Sequence, residues 1–255
     1  MNEQMQKRID NLVKWIRAQV PDGGKAVLGI SGGKDSTIAA ALCVRALGAE
    51  NVIGVLMPNG VQNDIADSIR VCTYLDIEHM EVNMEDAYEG ILEAISRGLG
   101  VKRYRHPYSI VRSNNMIRTN LPARLRMSTL YAVAALYPNS RVVNTCNYSE
   151  DYVGYSTKYG DAAGDFSPLG GLTVREVLAI GDALGLPYDL VHKTPSDGMC
   201  GKTDEDNLGF TYEQLDDFIE GNFGKVPLEV GTKIAHLHVV TRHKYNPIPT
   251  YYEEK

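Results

Sequence analysis

A short glycine-rich run holds the first residues that could do chemistry. Gly29-Ile30-Ser31-Gly32-Gly33-Lys34-Asp35-Ser36 follows directly on the apolar segment Lys25 to Ile30. A glycine pair lets the backbone approach an anion closely, and a helix that starts just after it presents unpaired N–H groups with a partial positive charge. Ser31, Ser36 and Thr37 add hydroxyl donors. The run therefore predicts a phosphate-binding loop between a strand and a helix.

The spacing in this loop excludes two common nucleotide motifs. It fits neither Gly-x-x-x-x-Gly-Lys-Ser/Thr, which cradles a triphosphate, nor the Gly-x-Gly-x-x-Gly of dinucleotide folds. Asp35 is the unusual member, because a carboxylate repels a phosphate unless a cation lies between them. We therefore expect Asp35 to hold a Mg²⁺ that bridges pyrophosphate oxygens. From the bare pattern, Asp35 or Ser36 could instead cap the helix.

Charge is distributed unevenly along the chain. The formal net charge of -6 argues against a general nucleic-acid binder, since such domains are usually basic. No Asp or Glu lies between Glu93 and Glu150, where an even spread of the 32 acidic residues would put about 7. This block suggests a local site for ATP or another polyphosphate, although a solvated basic face or a subunit interface would give the same pattern. Its basic residues are Arg97, Lys102, Arg103, Arg105, Arg112, Arg118, Arg124, Arg126 and Arg141.

The elements that must position the loop alternate between strands and helices. An amphipathic helix opens the chain, and a later helix is predicted from Leu121 to Tyr137 with Pro122 in its first turn. We expect an α/β fold, a doubly wound parallel sheet of about five strands with helices on both faces, as a single domain over residues 1–255. The clearest strands are Lys25 to Ile30, Asn51 to Met57, Ile77 to Asn83 and Arg141 to Thr145.

Composition fits an ordinary globular protein. Hydrophobic residues make up 44% and charged residues 23% of the chain, which argues against disorder and collagen-like repeats. No apolar run of signal-peptide or membrane-spanning length occurs in the sequence. Cys43, Cys72, Cys146 and Cys200 lack the spacing of a zinc site or a disulfide framework. We expect a cytoplasmic protein with reduced thiols.

The loop resembles the pyrophosphate loop, or PP-loop, of the N-type ATP pyrophosphatases, whose fold is adenine nucleotide alpha hydrolase-like. The second half of the chain narrows this resemblance to the NAD synthetase family. Asp165, Pro168-Leu169 and Leu172-Thr173 continue the match in register, and it extends from the first helix to His243-Lys244. The run that carries it is Thr145-Cys146-Asn147-Tyr148-Ser149-Glu150-Asp151-Tyr152-Val153-Gly154-Tyr155-Ser156-Thr157-Lys158-Tyr159-Gly160-Asp161.

The resemblance implies an activity. Family members use ATP to adenylate the nicotinate carboxylate of deamido-NAD, release pyrophosphate, and let ammonia displace AMP to give NAD. It also implies Mg²⁺ as cofactor and a homodimer, with no nucleic-acid or membrane partner. The chain leaves no room for the glutaminase domain of glutamine-dependent relatives, so we expect ammonia as the nitrogen source. Two alternatives stay open: another PP-loop ATP pyrophosphatase, either an amide ligase or a tRNA thiolase, and a non-catalytic module that senses adenylates.

The resemblance further implies roles for individual residues. Asp35 and Glu150 would bind Mg²⁺, and Asp35, Glu150, Lys158 and Asp165 would be catalytic. The residues implied for deamido-NAD are Arg124, Lys158, Asp165, His243 and Lys244. Those implied for ATP are Gly29, Ile30, Ser31, Gly32, Gly33, Lys34, Asp35, Ser36, Thr145 and Ser196.

Several assignments outside the loop have a structural alternative. Glu150 could be a carboxylate favoured by a helix start, and Arg124 and Lys158 could be surface charges. Asp165 could form an Asx turn, and His243-Lys244 could be the cationic end of a helix. The chain also departs from the family, which often has a lysine for ATP where Val174 stands here. Either the neighbouring Arg175 replaces that lysine or the contact is absent.

Overall fold

A four-stranded, all-parallel sheet forms the centre of the fold. The computed structural model describes residues 3–62, 64–99, 106–192 and 203–253. The sheet has the order β3-β2-β1-β4, and the inner strands β1 and β2 are apolar and largely buried, as expected for a parallel sheet covered on both faces. The strands are β1 Ala26–Gly29, β2 Val52–Leu56, β3 Glu78–Glu81 and β4 Arg141–Val142.

Parallel pairing of the strands brings their carboxyl ends to the same edge of the sheet, where the candidate site lies. Ala26 of β1 pairs with Val52 of β2 on one side and with Arg141 of β4 on the other. Beyond β4, a single parallel bridge joins Val143 to Phe166 at the outer edge of the sheet. The described residues thus form four strands and one isolated bridge, close to the predicted number of about five.

Helices cover both faces of this sheet, which confirms the doubly wound prediction. The helices α1, α2, α3, α8 and α9 pack on one face around a core that includes Ile9, Leu42 and Ile180. On the other face α6 packs against Val27, Ile53 and neighbouring side chains. The helices up to α6 are α1 Glu3–Gln19, α2 Lys34–Leu47, α3 Ile65–Tyr74, α4 Glu85–Leu99, α5 Pro107–Ser113 and α6 Asn115–Ala134.

The last hundred residues add a helical cluster beside the sheet. Its core contains Val153, Leu215 and Ile234, contributed by α7, α11 and α12. Short 3-10 turns occur at Ala49–Asn51, Phe223–Lys225 and Arg242–Lys244. The helices are α7 Tyr148–Val153, α8 Val174–Ala183, α9 Tyr188–Val191, α10 Asp204–Leu208, α11 Tyr212–Ile219 and α12 Leu228–Thr241.

One predicted helix boundary was wrong. Helix α6 begins at Asn115 rather than at Leu121, so Pro122 lies inside the helix and not in its first turn. The start is fixed by Asn114, whose side-chain oxygen accepts a hydrogen bond from the Ile117 N–H at 3.0 Å. A capping side chain therefore outweighed the proline as a start signal.

The topology creates a crevice at one edge of the sheet. The chain runs from β1 to β2 and β3 on one side and then returns to place β4 on the other side of β1. Connections from such neighbouring strands diverge, and ligands of open α/β sheets bind at this switch point, outside the carboxyl ends of the strands. The segments there are Ile30 to Gly33 after β1 and Val143 to Asn147 after β4.

Candidate active site

The loop after β1 has the backbone of an anion-binding turn. Gly32 adopts a left-handed conformation with φ +76, and a Cβ there would lie 2.9 Å from both Asp67 Cβ and the Ser68 backbone nitrogen. Gly32 therefore has to be glycine for two reasons, conformation and space. Gly33 is the N-cap of α2 and contributes no side-chain cap, so the first-turn N–H groups of α2 receive no capping side chain from this position.

Side-chain hydroxyl groups of the loop form hydrogen bonds with one another and with the loop backbone. Ser31 Oγ lies 3.0 Å from Ser36 Oγ and accepts a hydrogen bond from the Gly33 N–H at 3.2 Å. Thr37 Oγ1 donates to the Gly33 carbonyl oxygen at 2.8 Å. The loop is thus preorganised, so a phosphate could bind without a large change of backbone conformation.

Lys34 and Asp35, the first residues of α2, form a largely buried ion pair. Lys34 Nζ lies 2.7 Å from Asp35 Oδ2, and the side chains are 6% and 18% exposed. Burial on its own would lower the pKa of Lys34, but the Asp35 and Glu150 carboxylates outweigh burial and raise it. Lys34 therefore carries a full positive charge inside the crevice.

The loop after β4 brings Glu150 to the same place. Asn147, which is fully buried, caps α7: its Oδ1 accepts from the Glu150 N–H at 3.0 Å, and Glu150 Oε2 accepts from the Asn147 N–H at 3.3 Å. The other end of the amide, Asn147 Nδ2, donates to Asp35 Oδ1 at 3.1 Å. Asn147 thus donates to both carboxylates that the sequence proposes as metal ligands, to Asp35 through its side-chain amide and to Glu150 through its backbone N–H.

The donor set at this junction fits a magnesium ion. Mg²⁺ in nucleotide sites takes one or two carboxylates and completes its coordination with water and phosphate oxygens. Asp35 and Glu150 supply such a pair, and the ammonium of Lys34 already balances Asp35 there as a cation would. Burial, followed by repulsion from Asp35, raises the pKa of Glu150 to about 8. Within the described ranges, no group of three or more His, Cys, Asp or Glu side chains could hold a metal ion, so substrate oxygens would have to complete the sphere.

A cavity of about 460 Å³ adjoins the loop through Lys34. Asp204 on its wall accepts hydrogen bonds from the Tyr155 and Tyr212 hydroxyls, each at 3.3 Å. The Tyr212 ring lies 5.3 Å from Lys34 Nζ, within the range of a cation–π contact. Val174 also lines the cavity. Its walls therefore combine apolar surface with charged groups of both signs.

Three of the residues implied for the dinucleotide are joined through the backbone. Arg124 Nε donates to the Lys158 carbonyl oxygen at 3.3 Å, and Lys158 Nζ donates to the His243 carbonyl oxygen at 2.6 Å. Lys244 Nζ donates to the carbonyl oxygens of Gly154 and Ser156 at 2.6 and 2.7 Å. The structure thus brings the α6, 154–158 and 242–244 segments together, with Lys244 used as a clamp on the loop.

Asp165 makes its hydrogen bonds at the outer edge of the sheet. Its Oδ2 accepts from the Val142 N–H at 2.7 Å, and its Oδ1 accepts from the Tyr131 hydroxyl at 3.3 Å. The carboxylate therefore holds the outer edge of β4 against α6. Its predicted part in catalysis remains a prediction.

The remaining assignments have different outcomes. Thr145 is partly buried in the loop after β4, whereas Ser196 lies outside the described residues. Arg175 is paired with Asp217 at 3.1 Å and with Glu220 at 2.7 Å. Its guanidinium thus bridges to α11 and to the residue after it, and whether Arg175 replaces the family lysine stays an open prediction.

Some residues of the site had no role in the sequence interpretation. Asn147 stood in the resembling run, and its position three residues before Glu150 is the signal of a capping box. Asp204 and Tyr212 come from distant helices, and no local pattern indicates that their side chains meet. Only the fold brings them to Lys34.

A doubly wound parallel sheet with a phosphate-binding loop and two carboxylates at its switch point defines a nucleotide-binding α/β protein of the PP-loop type. The NAD synthase family matches residues 8–248. NH(3)-dependent NAD(+) synthetase of Alkaliphilus metalliredigens is 40% identical over 93% of this chain and 94% of the relative. The chain belongs to the NAD synthase family.

Solved structures agree with this membership. NMN synthetase from Francisella tularensis has a TM-score of 0.84 and 33% identity, covering 97% of this chain and 98% of that one. NH3-dependent NAD synthetase from Campylobacter jejuni subsp. jejuni, solved with nitrate ion, has a TM-score of 0.73 and 29% identity over 99% and 100% of the two chains. Within the described ranges, no helix is both long enough and apolar enough to cross a membrane.

Proposed function

We propose that the protein amidates deamido-NAD with ammonia at the expense of ATP, giving NAD, AMP and pyrophosphate. The observation that carries the proposal is the junction at Asn147, which joins the phosphate loop to Glu150, in a chain whose family match spans residues 8–248. A non-catalytic adenylate sensor would need the phosphate loop but not this second, linked carboxylate.

The reaction would run in two steps. A carboxylate oxygen of the nicotinate attacks the α-phosphorus of ATP, the bond to the β-phosphate oxygen breaks, and pyrophosphate leaves. Ammonia then attacks the acyl carbon, AMP departs with the former carboxylate oxygen, and the ammonium proton passes to solvent. No protein nucleophile is required, so positioning, charge neutralisation and exclusion of water would supply the catalysis.

The residues of the site can be assigned to these needs. We infer that residues 29–36 would hold the ATP phosphates through first-turn N–H groups and hydroxyls. Asp35 and Glu150 would hold Mg²⁺, which supplies charge neutralisation between the phosphates when bound. Arg124 and Lys158, joined at 3.3 Å, would face the anionic dinucleotide.

A homodimer and a cytoplasmic location complete the proposal. Support for the dimer comes from apolar side chains on α5 and α6 that remain exposed to solvent in the single chain, among them Ile110 at 45% and Met116 at 69%. Light scattering on the purified protein tests the homodimer directly, and a monomer at all protein concentrations would reject it.

A second candidate substrate is the corresponding mononucleotide. The observation in its favour is the likeness to NMN synthetase, with a TM-score of 0.84 against 0.73 for the Campylobacter jejuni NAD synthetase. Amidation of nicotinate mononucleotide would use the same two steps, because the reacting carboxylate and ATP are unchanged. The two candidates differ only in whether a second nucleotide must be bound.

One assay decides between them. The protein is incubated with ATP, Mg²⁺ and ammonium together with deamido-NAD or nicotinate mononucleotide, and the amide product and AMP are quantified. We expect a higher kcat/KM for deamido-NAD. A preference for the mononucleotide would select the second candidate, and no amide product above the enzyme-free control with either acceptor would reject both.

A further inference from the structure

Lys34 places a positive charge where a helix disfavours one. It is the first residue of α2, and the partial positive charge of a helix N-terminus favours acidic side chains there. The residue is also only 5% exposed, whereas a lysine ammonium normally reaches water. A role as a solvated surface charge is therefore excluded, and the ammonium must act inside the site.

The ammonium stands where the metal would bind. Lys34 Nζ lies 2.7 Å from Asp35 Oδ2, on a carboxylate that we propose as a Mg²⁺ ligand. Mg²⁺ binds its oxygen ligands directly, at about 2.0–2.1 Å. An ammonium and a magnesium ion at one carboxylate repel each other strongly in a site shielded from water. The arrival of Mg²⁺ would therefore drive Lys34 Nζ away from Asp35.

The displaced ammonium has space in the adjoining cavity. Lys34 lines this cavity of about 460 Å³ together with Val174, which is apolar. The other basic side chains on the described part of its wall, Arg175 and His192, are already paired with carboxylates at 2.7 to 3.1 Å. Once released from Asp35, Lys34 would be the cation available to a phosphate at this end of the loop.

We propose that Lys34 exchanges partners during the reaction: it holds Asp35 in the ligand-free protein and contacts the ATP phosphates once Mg²⁺ has taken that carboxylate. The inference rests on the proposed ATP-dependent function. A single ammonium would thus limit repulsion between Asp35 and Glu150 in the empty site, and would neutralise pyrophosphate as it leaves.

The first test measures metal binding without nucleotide. Mn²⁺ is titrated into wild type, Lys34→Met and Lys34→Gln, and free Mn²⁺ is followed by electron paramagnetic resonance. Removing the competing ammonium should tighten Mn²⁺ binding by about 10-fold or more, equivalent to about 1.4 kcal/mol. Lys14→Met, a change on the exposed face of α1, serves as the matched control and should bind like wild type. Equal, weaker or undetectable binding by both Lys34 variants overturns the proposal.

The second test separates nucleotide binding from a structural role. Lys34→Met should raise the KM for ATP at least about 10-fold, because a phosphate contact to a charged group is lost. Val174 lines the same cavity, so Val174→Lys in the Lys34→Met background should recover a substantial part of that loss. An unchanged KM for ATP in Lys34→Met, or no recovery in the double variant, overturns the phosphate contact. Circular dichroism of each variant checks the fold.

The two tests also distinguish this inference from the proposed function. If wild type forms no amide product, the proposed function fails, while the Mn²⁺ titration still reports whether Lys34 competes with a metal. If wild type is active and the Lys34 variants match it in Mn²⁺ affinity and in KM, the exchange of partners fails on its own.

Discussion

Asn147→Ala should destabilise the protein more than the loss of an ordinary helix cap. The buried side chain accepts from the Glu150 N–H at 3.0 Å and donates to Asp35 at 3.1 Å. Loss of an N-cap costs about 1 kcal/mol, and loss of a hydrogen bond to a charged group costs about 1.5–3 kcal/mol. Since the Asp35 side chain is 18% exposed and water can partly replace its donor, we use the lower value for that bond. The expected decrease in the free energy of unfolding is about 2.5 kcal/mol.

A second capping box provides a comparison for the loss of the cap alone. Thr211 caps α11 in the same type of capping box, with its side chain accepting from the Gln214 N–H, and it makes no contact with Asp35 or Glu150. Thr211→Ala should therefore lose only the cap, about 1 kcal/mol. Both variants are unfolded in urea and followed by circular dichroism. Their free energies of unfolding are compared using one common m-value, the slope of that free energy against urea concentration. If Asn147→Ala is no less stable than Thr211→Ala, the link between the two loops contributes nothing and the reasoning is refuted.

Three further predictions follow from the described contacts. Asp35→Asn should reduce amide formation at least about 100-fold while the circular dichroism spectrum stays native, and full activity would remove the metal role. Gly32→Ala should lower the free energy of unfolding by at least about 1–2 kcal/mol, because it imposes a left-handed alanine and a contact at 2.9 Å with Asp67, and wild-type stability in a urea titration would contradict this. Burial raises the pKa of Cys43 to about 12 and that of Cys72 to about 11, so iodoacetamide at pH 8 should leave both unmodified in the native protein and label both in urea, as read by peptide mass spectrometry.

The parallel sheet and the general position of the candidate site could both be predicted from the sequence. Apolar strand segments and a glycine pair are local signals, and parallel strands bring their carboxyl ends to one edge. Asp35 and Glu150 each follow such an end, and their pairing was implied by the family resemblance, whereas the position of β4 next to β1 comes from the structure. The start of α6 could not be located in this way because Asn114 and Pro122 both resemble start signals, and only Asn114 acts as one.

The direction in which a side chain points could not be predicted from local sequence signals. The sequence placed Lys34 in a phosphate loop, but the Tyr212 ring beside its ammonium comes from more than 170 residues away. In the same way, Asp165 could be matched to a motif, yet its hydrogen bond to the Val142 N–H follows from the geometry of the sheet edge. Contacts between distant segments are decided by packing, which a motif does not encode.

The clamp formed by Lys158 and Lys244 ties the loop after α7 to the turn after α12, and His238 adds a hydrogen bond from α12 to the Tyr152 carbonyl at 2.9 Å. The two segments are far apart in the chain but should open and close as one cooperative unit. In hydrogen–deuterium exchange, amides of residues 154–158 would then gain deuterium at the rate of those in α12 rather than at the rate of the sheet. Thermal fraying of the last helix would then reach residues 154–158, while the loop after β1 remained intact.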